Sequence, residues 1–166
     1  MTPRHLAITM GDPAGIGPEI IVKACRALAP RLADGSLRLL VIGHGSALER
    51  ARAAFAPELT IPAVAAGDAW PALAFLQAGE ETSPIEPGVL SPEAGRFAYL
   101  AIEQGVRLAQ AGRVGGLVTP GVPRSRLQGG AWDGVAIISK SGGFGPDALW
   151  RDLLAGNGHT FGSIDA

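Results

Sequence analysis

Cysteine occurs once in this chain, at Cys25. A single thiol excludes an internal disulfide framework and fits a reducing cytoplasm, where the protein is expected. Aromatic residues make up only 5% of the sequence, and no apolar run approaches the ~20 residues of a membrane span. Met1 to His5 lack the basic-then-apolar layout of a secretory signal. Charge of either sign is not in excess: 15 acidic and 14 basic residues leave a formal net charge of -1. That balance offers no footprint for a polyanion, so neither nucleic acid nor a membrane is an expected partner. Lysine is scarce as well. Lys23 and Lys140 are the only two, which makes the place of each informative.

Glycine and proline, by contrast, are plentiful at 24 and 13 of 166 residues. They cluster at turns without a period and read as loop chemistry. The length suits one domain of ordinary size. His5 to Met10 is a short apolar strand, and Gly17 to Leu32 a helix with Pro18 in its first turn, where a missing N–H costs nothing. Ile20, Ile21, Ala24 and Leu28 recur at helical spacing and mark its buried face. "LRLLVI" (37–42) is the near-continuous apolar run of a strand covered on both faces. A helix follows from Ala47 to about Phe55, and Thr60 to Val64 reads as a further short strand. Residues 67–90 are the least regular part, with "EETSPIEPGVL" a loop and its glutamates solvated.

Ser91 then caps a helix that has Pro92 at its first position and stops at Gly112. "VGGLVT" (114–119) and "GVAIISK" (134–140) read as strands, and Pro146 to Ala155 as a short helix. Strands alternating with helices predict an α/β fold, a mostly parallel sheet with flanking helices.

The chemistry concentrates in "ITMGDPAGIGPEIIVKA", residues 8–24. A glycine-rich turn between a strand and a helix lets backbone N–H groups approach an anion or a cofactor at the helix N-terminus. Asp12 either accepts hydrogen bonds from ribose hydroxyls or caps the turn. The spacing of Gly11, Gly15 and Gly17 is not the dinucleotide fingerprint. From the residues alone, a ligand role and a tight structural turn both stay open.

That stretch closely resembles the N-terminus of the 4-hydroxythreonine-4-phosphate dehydrogenase family and its paralogues. The likeness continues through "GVLSPEAGRFAYLAIEQGVRLAQAGRVGGLVT" (88–119). The resemblance implies part of an isocitrate/isopropylmalate dehydrogenase-like fold over residues 1–119. It implies NAD and a divalent metal as cofactors, and a small phosphorylated hydroxy acid as substrate. The family oxidises the C3 alcohol of 4-phosphohydroxy-L-threonine, or a related sugar-acid phosphate, in a homo-oligomer. By that likeness Gly11, Asp12, Gly15, Ile16, Gly17 and Glu19 border the active-site cleft.

After Thr119 the text departs from the family. Residues 120–166 resemble the C-terminal end of the four-carbon acid sugar kinase family, with "KSGGFG" from Lys140. Lys140, Ser141, Gly142 and Gly143 would there serve a nucleotide, ATP, at the end of a strand. The family's metal ligands are not at matching positions. "GHTF" (158–161) resembles the family's G-H-T-E stretch and makes His159 the candidate ligand, while His5 and His44 read as surface residues.

Three readings result. The chain is a dehydrogenase portion, weakly active or inactive alone; or a kinase remnant working through its nucleotide loop; or a non-catalytic association module. Separate titrations of the purified protein with NAD and ATP discriminate among them. The kinase reading requires ATP binding that is lost in Lys140→Ala, and the module reading requires neither nucleotide to bind.

Overall fold

The computed structural model describes residues 4–89, 91–119 and 137–139. Ten elements follow one another: β1 Arg4–Thr9, α1 Gly17–Ala27, α2 Ala29–Ala33, β2 Leu37–Gly43, α3 Gly45–Phe55, β3 Ala63–Val64, β4 Leu73–Gln77, α4 Pro92–Gln110, β5 Gly116–Val118 and β6 Ile137–Ser139. The strands form one sheet in the order β3-β4-β2-β1-β5-β6. Five of them are parallel, and β6 runs antiparallel to β5. The expected α/β class, mostly parallel with flanking helices, is what the chain adopts.

Alternation along the strands builds two cores. Leu37, Leu39 and Val41 of β2 and Leu73 and Phe75 of β4 face α1, α2 and α3, with Ile21, Val22, Cys25, Ala47, Leu48 and Ala51. Their neighbours Leu40, Ile42, Ala74 and Leu76 face α4, against Phe97, Ala98, Ala101 and Val106. A strand buried on both faces has no polar side to show, which is why "LRLLVI" carries almost no alternation.

Several expectations need correction. The helix read as Gly17 to Leu32 breaks at Leu28, and α2 restarts at Ala29 with Pro30 in its first turn. Proline there lacks the N–H that an unbroken helix would need and clashes with the preceding turn. The buried face of α1 is Ile21, Val22 and Cys25, whereas Ile20 is 46% exposed. α3 starts at Gly45, two residues earlier than read. β4 lies within residues 67–90, the least regular part of the sequence, and sits between β2 and β3. Its apolar run is too short and too closely flanked by Pro71 and Gly79 to declare itself. The α4 reading holds: Ser91 Oγ accepts from Ala94 N at 3.1 Å.

The turn from β1 into α1 rests on two different glycines for two different reasons. Gly11 has φ 66, a left-handed conformation that a side chain disfavours. Gly17 has ordinary φ, but a Cβ there would lie 2.0 Å from the Met10 carbonyl oxygen. Gly15 meets neither constraint, since its nearest obstacle would be 3.3 Å away. Gly17→Ala should therefore destabilise the fold by about 1–3 kcal/mol, and Gly15→Ala by less than about 1 kcal/mol. Denaturant melts of the two variants check the order; equal midpoints would show that the turn is not built on this contact.

Candidate active site

β1 occupies the point where the sheet changes direction. From it the chain moves through α1 on one face to β2, and later returns through α4 on the other face to β5, on β1's opposite side. In parallel sheets the crevice outside the carboxyl ends of two such strands is where ligands bind. Here those ends are Thr9 and Thr119, which follow the paired residues Ile8 and Val118. Both threonines are buried, and the Thr9 hydroxyl donates to Thr119 Oγ1 at 2.5 Å. The glycine loop, residues 10–16, leaves directly from this clamp.

Within the loop, Gly11 and Asp12 are buried, and Asp12 is only 5% exposed. Asp12 Oδ1 accepts from Ala14 N at 2.8 Å, and its carbonyl accepts from Gly15 N at 3.0 Å. Of the two roles left open for Asp12, capping the turn is thus in place. Gly15 and Ile16 are exposed, Ile16 to 64%. Gly17 is buried beneath them. Glu19 forms an ion pair with Lys23 one turn along α1, and the Lys23 ammonium lies 4.6 Å from the Phe55 ring centroid. α1 has no side-chain N-cap, since Ile16 holds that position and Pro18 has no N–H. A neighbouring segment closes over the loop: Gly88 N donates to Ala14 O at 2.7 Å.

The structure thus brings Gly11, Asp12, Gly15, Ile16 and Gly17 together at the switch point, with Glu19 turned to Lys23. Lys140, Ser141, Gly142, Gly143 and His159 lie outside the described residues, as does the helix read at 146–155. Among the described residues no three His, Cys, Asp or Glu side chains converge on a place for a metal ion. None of the described helices is long and apolar enough to cross a membrane. Cys25 is inert by position: burial pushes its thiol up to about 12.

His44 corrects the sequence reading most sharply. It is not a surface residue but is 1% exposed, packed edge-on against Phe97 with ring centroids 4.4 Å apart. It caps α3, its Nδ1 accepting from Ala47 N at 3.3 Å. Glu81, read as a solvated loop residue, reaches the same helix end, where its Oε1 accepts from Ser46 N at 3.1 Å and its Oε2 from Ser46 Oγ. A histidine directly before a helix start is a legible cap signal, but no spacing links it to Glu81, 37 positions on. Thr9 and Thr119 escaped notice too, because each looks like an ordinary strand end.

No family model matches the chain. Named relatives do. A Bradyrhizobium diazoefficiens protein, provisionally named D-threonate 4-phosphate dehydrogenase, is 62% identical over 128 residues, 76% of this chain and 37% of that protein. The 4-hydroxythreonine-4-phosphate dehydrogenase of Prosthecochloris aestuarii is 32% identical over 161 residues, 90% of this chain and 47% of that protein. Among solved structures, the 4-hydroxythreonine-4-phosphate dehydrogenase of Burkholderia phymatum superposes with a TM-score of 0.68 at 28% identity, covering 92% of this chain and 44% of that one. The chain therefore spans less than half the length of these relatives. Matches covering 90% and 92% of the chain necessarily enter residues 120–166, the stretch read as kinase-like.

Two measurements test the site's framework. Thr9→Val removes the donor of the buried hydroxyl pair and should cost about 1–2 kcal/mol in a denaturant melt; no change would show that the clamp carries no energy. Burial holds His44 below its ordinary 6.5, so the unfolded chain binds the extra proton first. Stability should then be lost as pH falls below 6.5 towards the folded value, and His44→Asn should flatten that slope. Over most of the chain's length, relatives and structural neighbours alike carry the names of 4-hydroxythreonine-4-phosphate and D-threonate 4-phosphate dehydrogenases.

Proposed function

We propose that this chain forms the cofactor-facing wall of an NAD-dependent dehydrogenase acting on a phosphorylated hydroxy acid. D-threonate 4-phosphate is the first choice of substrate, because the 62% identical relative bears that name. The observation that carries the reading is the placement of the glycine loop. A bare, partly exposed backbone follows the central strand at the switch point of a parallel sheet, directly before a helix whose N-terminal amides lack a side-chain cap. Gly15 and Ile16 present that backbone to the crevice, and the positive end of α1 favours a phosphate there. Gly11, Asp12 and Gly17 shape the loop from beneath.

NAD bound here would supply the hydride acceptor for oxidation of the carbinol, and the backbone of Gly15 and Ile16 with the first turn of α1 would hold its phosphates. What the described residues contribute is position. The Thr9–Thr119 pair holds the strand ends, Asp12 rigidifies the turn, and Ala14 is fastened to Gly88. The described residues do not supply a metal site, so no step is assigned to a metal here. For the same reason the isolated chain is proposed to bind NAD and to turn over weakly or not at all. Assembly with further copies or further polypeptide is part of the proposal.

Calorimetric titration with NAD tests the reading. Ile16→Asp places a negative charge on an exposed position beside the dinucleotide's phosphates. It should weaken NAD about tenfold, or ~1.4 kcal/mol, with an unchanged melting temperature. ATP binding without NAD binding would overturn the dehydrogenase reading. Reduction of NAD with D-threonate 4-phosphate and a divalent metal, faster than about one turnover per second and stopped by a chelator, would overturn the proposed inactivity.

A further inference from the structure

The first three amides of α3 each have a different acceptor. Gly45 N donates to Gln77 Oε1 at 2.9 Å, Ser46 N to Glu81 Oε1 at 3.1 Å and Ala47 N to His44 Nδ1 at 3.3 Å. Gln77 Nε2 ties the acceptors together by donating to Gly79 O at 2.9 Å and to Glu81 Oε1 at 3.1 Å. Because Nδ1 accepts, the single proton of the neutral imidazole sits on Nε2, which is buried without a hydrogen-bond partner among the described residues. Glu81 Oε1 lies 3.5 Å from the same Nδ1. A second proton on His44 therefore lands between an amide that needs an acceptor and a carboxylate oxygen, Glu81 Oε1, already shared by two donors.

The consequences of such a proton travel along residues 81–88. That segment is held at one end by Glu81 and in its middle by α3, where Arg50 Nη1 donates to Ile85 O at 3.3 Å. Ile85 is buried in the same core as Ala14. At the far end Gly88 N donates to Ala14 O at 2.7 Å, inside the glycine loop. The start of α3 and the glycine loop are thus joined by one short stretch of chain, hydrogen-bonded at both ends and held between them by buried Ile85 and by Thr82 Oγ1, which donates to Glu93 Oε1 at 3.2 Å.

We propose that His44 and Glu81 form a proton-operated latch on the glycine loop. Protonation at Nδ1 withdraws the acceptor from Ala47, draws Glu81 from Ser46 towards the imidazolium, and loosens residues 81–88 from Ala14. The proton is taken from solvent, and no other covalent bond changes. The groups facing His44 are Glu81 after β4, Arg50 of α3, and Glu93 and Arg96 of α4, with the Phe97 ring beside it. The glutamates favour the imidazolium and the arginines oppose it, while burial opposes it most strongly. Burial also pushes Glu81 up, but hydrogen bonds from Ser46 and Gln77, together with the neighbouring His44, outweigh this and hold its carboxyl below its ordinary value. It is therefore ionised and ready to receive His44 where the imidazole titrates. The regulatory meaning of the latch, control of NAD binding by pH, rests on the reading of the glycine loop above.

Amide hydrogen exchange of the full chain, followed by NMR and corrected for intrinsic rates, tests the latch without any ligand. As pH falls from about 7.5 to about 4.5, protection at Ala47 and Gly88 should fall together below 6.5 by about tenfold, the equivalent of one pKa unit. His44→Asn keeps an uncharged acceptor at the cap, so both amides should stay protected. Glu81→Gln should move the midpoint to lower pH, because the charge that favours the imidazolium is gone. A fall at Ala47 without one at Gly88 would overturn the coupling, and an equal fall in His44→Asn would overturn the sensor. NAD titrated at the two pH values should bind more weakly in acid to the parent protein and unchanged to His44→Asn. If the amides respond but NAD binds at neither pH, the latch stands and the reading of the loop as a cofactor wall fails.

Discussion

The carboxyl end of β1 is seated between two backbones that approach it too closely for any side chain, and the rest of the structure depends on that seat. Met10 is fully buried, and its N–H donates to Ile42 O at 2.8 Å, extending the β1–β2 ladder by one residue. A Cβ on Gly17 would lie 2.0 Å from the Met10 carbonyl, and one on Gly43 would lie 2.5 Å from Met10 Cβ. The first approach brings the N-terminus of α1 down onto the strand it has just left. The second lets β2 end flush beside it, so that α3 starts from His44 at the same level. Dense packing at this one residue sets where two helices begin.

What the seat produces is a row of helix starts and strand ends along one edge of the sheet, filled in two different ways. At α3 the amides are consumed by Gln77, Glu81 and His44, side chains drawn from β4, the following loop and the cap position itself. At α1 no side chain takes that role, and the loop before it is held by its own Asp12 and by Gly88. One helix start is sealed by side chains and its neighbour has no side-chain cap. The two are linked, because the segment that seals α3 continues into the one that fastens the glycine loop.

Buried and half-buried polar groups at this edge are accordingly tied in pairs: Thr9 with Thr119, His44 with Ala47, Gln77 with Gly45. Each pairing offsets the cost of desolvating its members. The histidine is the exception in kind, since it is the one of these groups that can take up a proton, an event that burial moves below its ordinary 6.5. Lodging it against Phe97 and beside Glu81 makes the sealed helix start sensitive to protons in a way that an aspartate cap would not be.

The local chemistry was legible in the sequence. The proline-led starts of α1 and α4, the Ser91 cap, the doubly covered β2 and the glycine loop all follow from propensities acting within a few residues, and the α/β class follows from their alternation. The family likeness rested on the same loop. The rest required contacts between residues far apart in the chain. β4 is a strand because β2 and β3 flank it, whereas its own four apolar residues could have been loop or core. His44 is buried because α4 lays Phe97 over it, and Glu81 is a cap because β4 delivers it 37 positions later to the start of α3. Even the glycine loop divides this way. That it must be bare was written locally, but which glycine is irreplaceable was decided by how close Met10 comes to Gly17, a distance that exists only once the sheet and helix have packed.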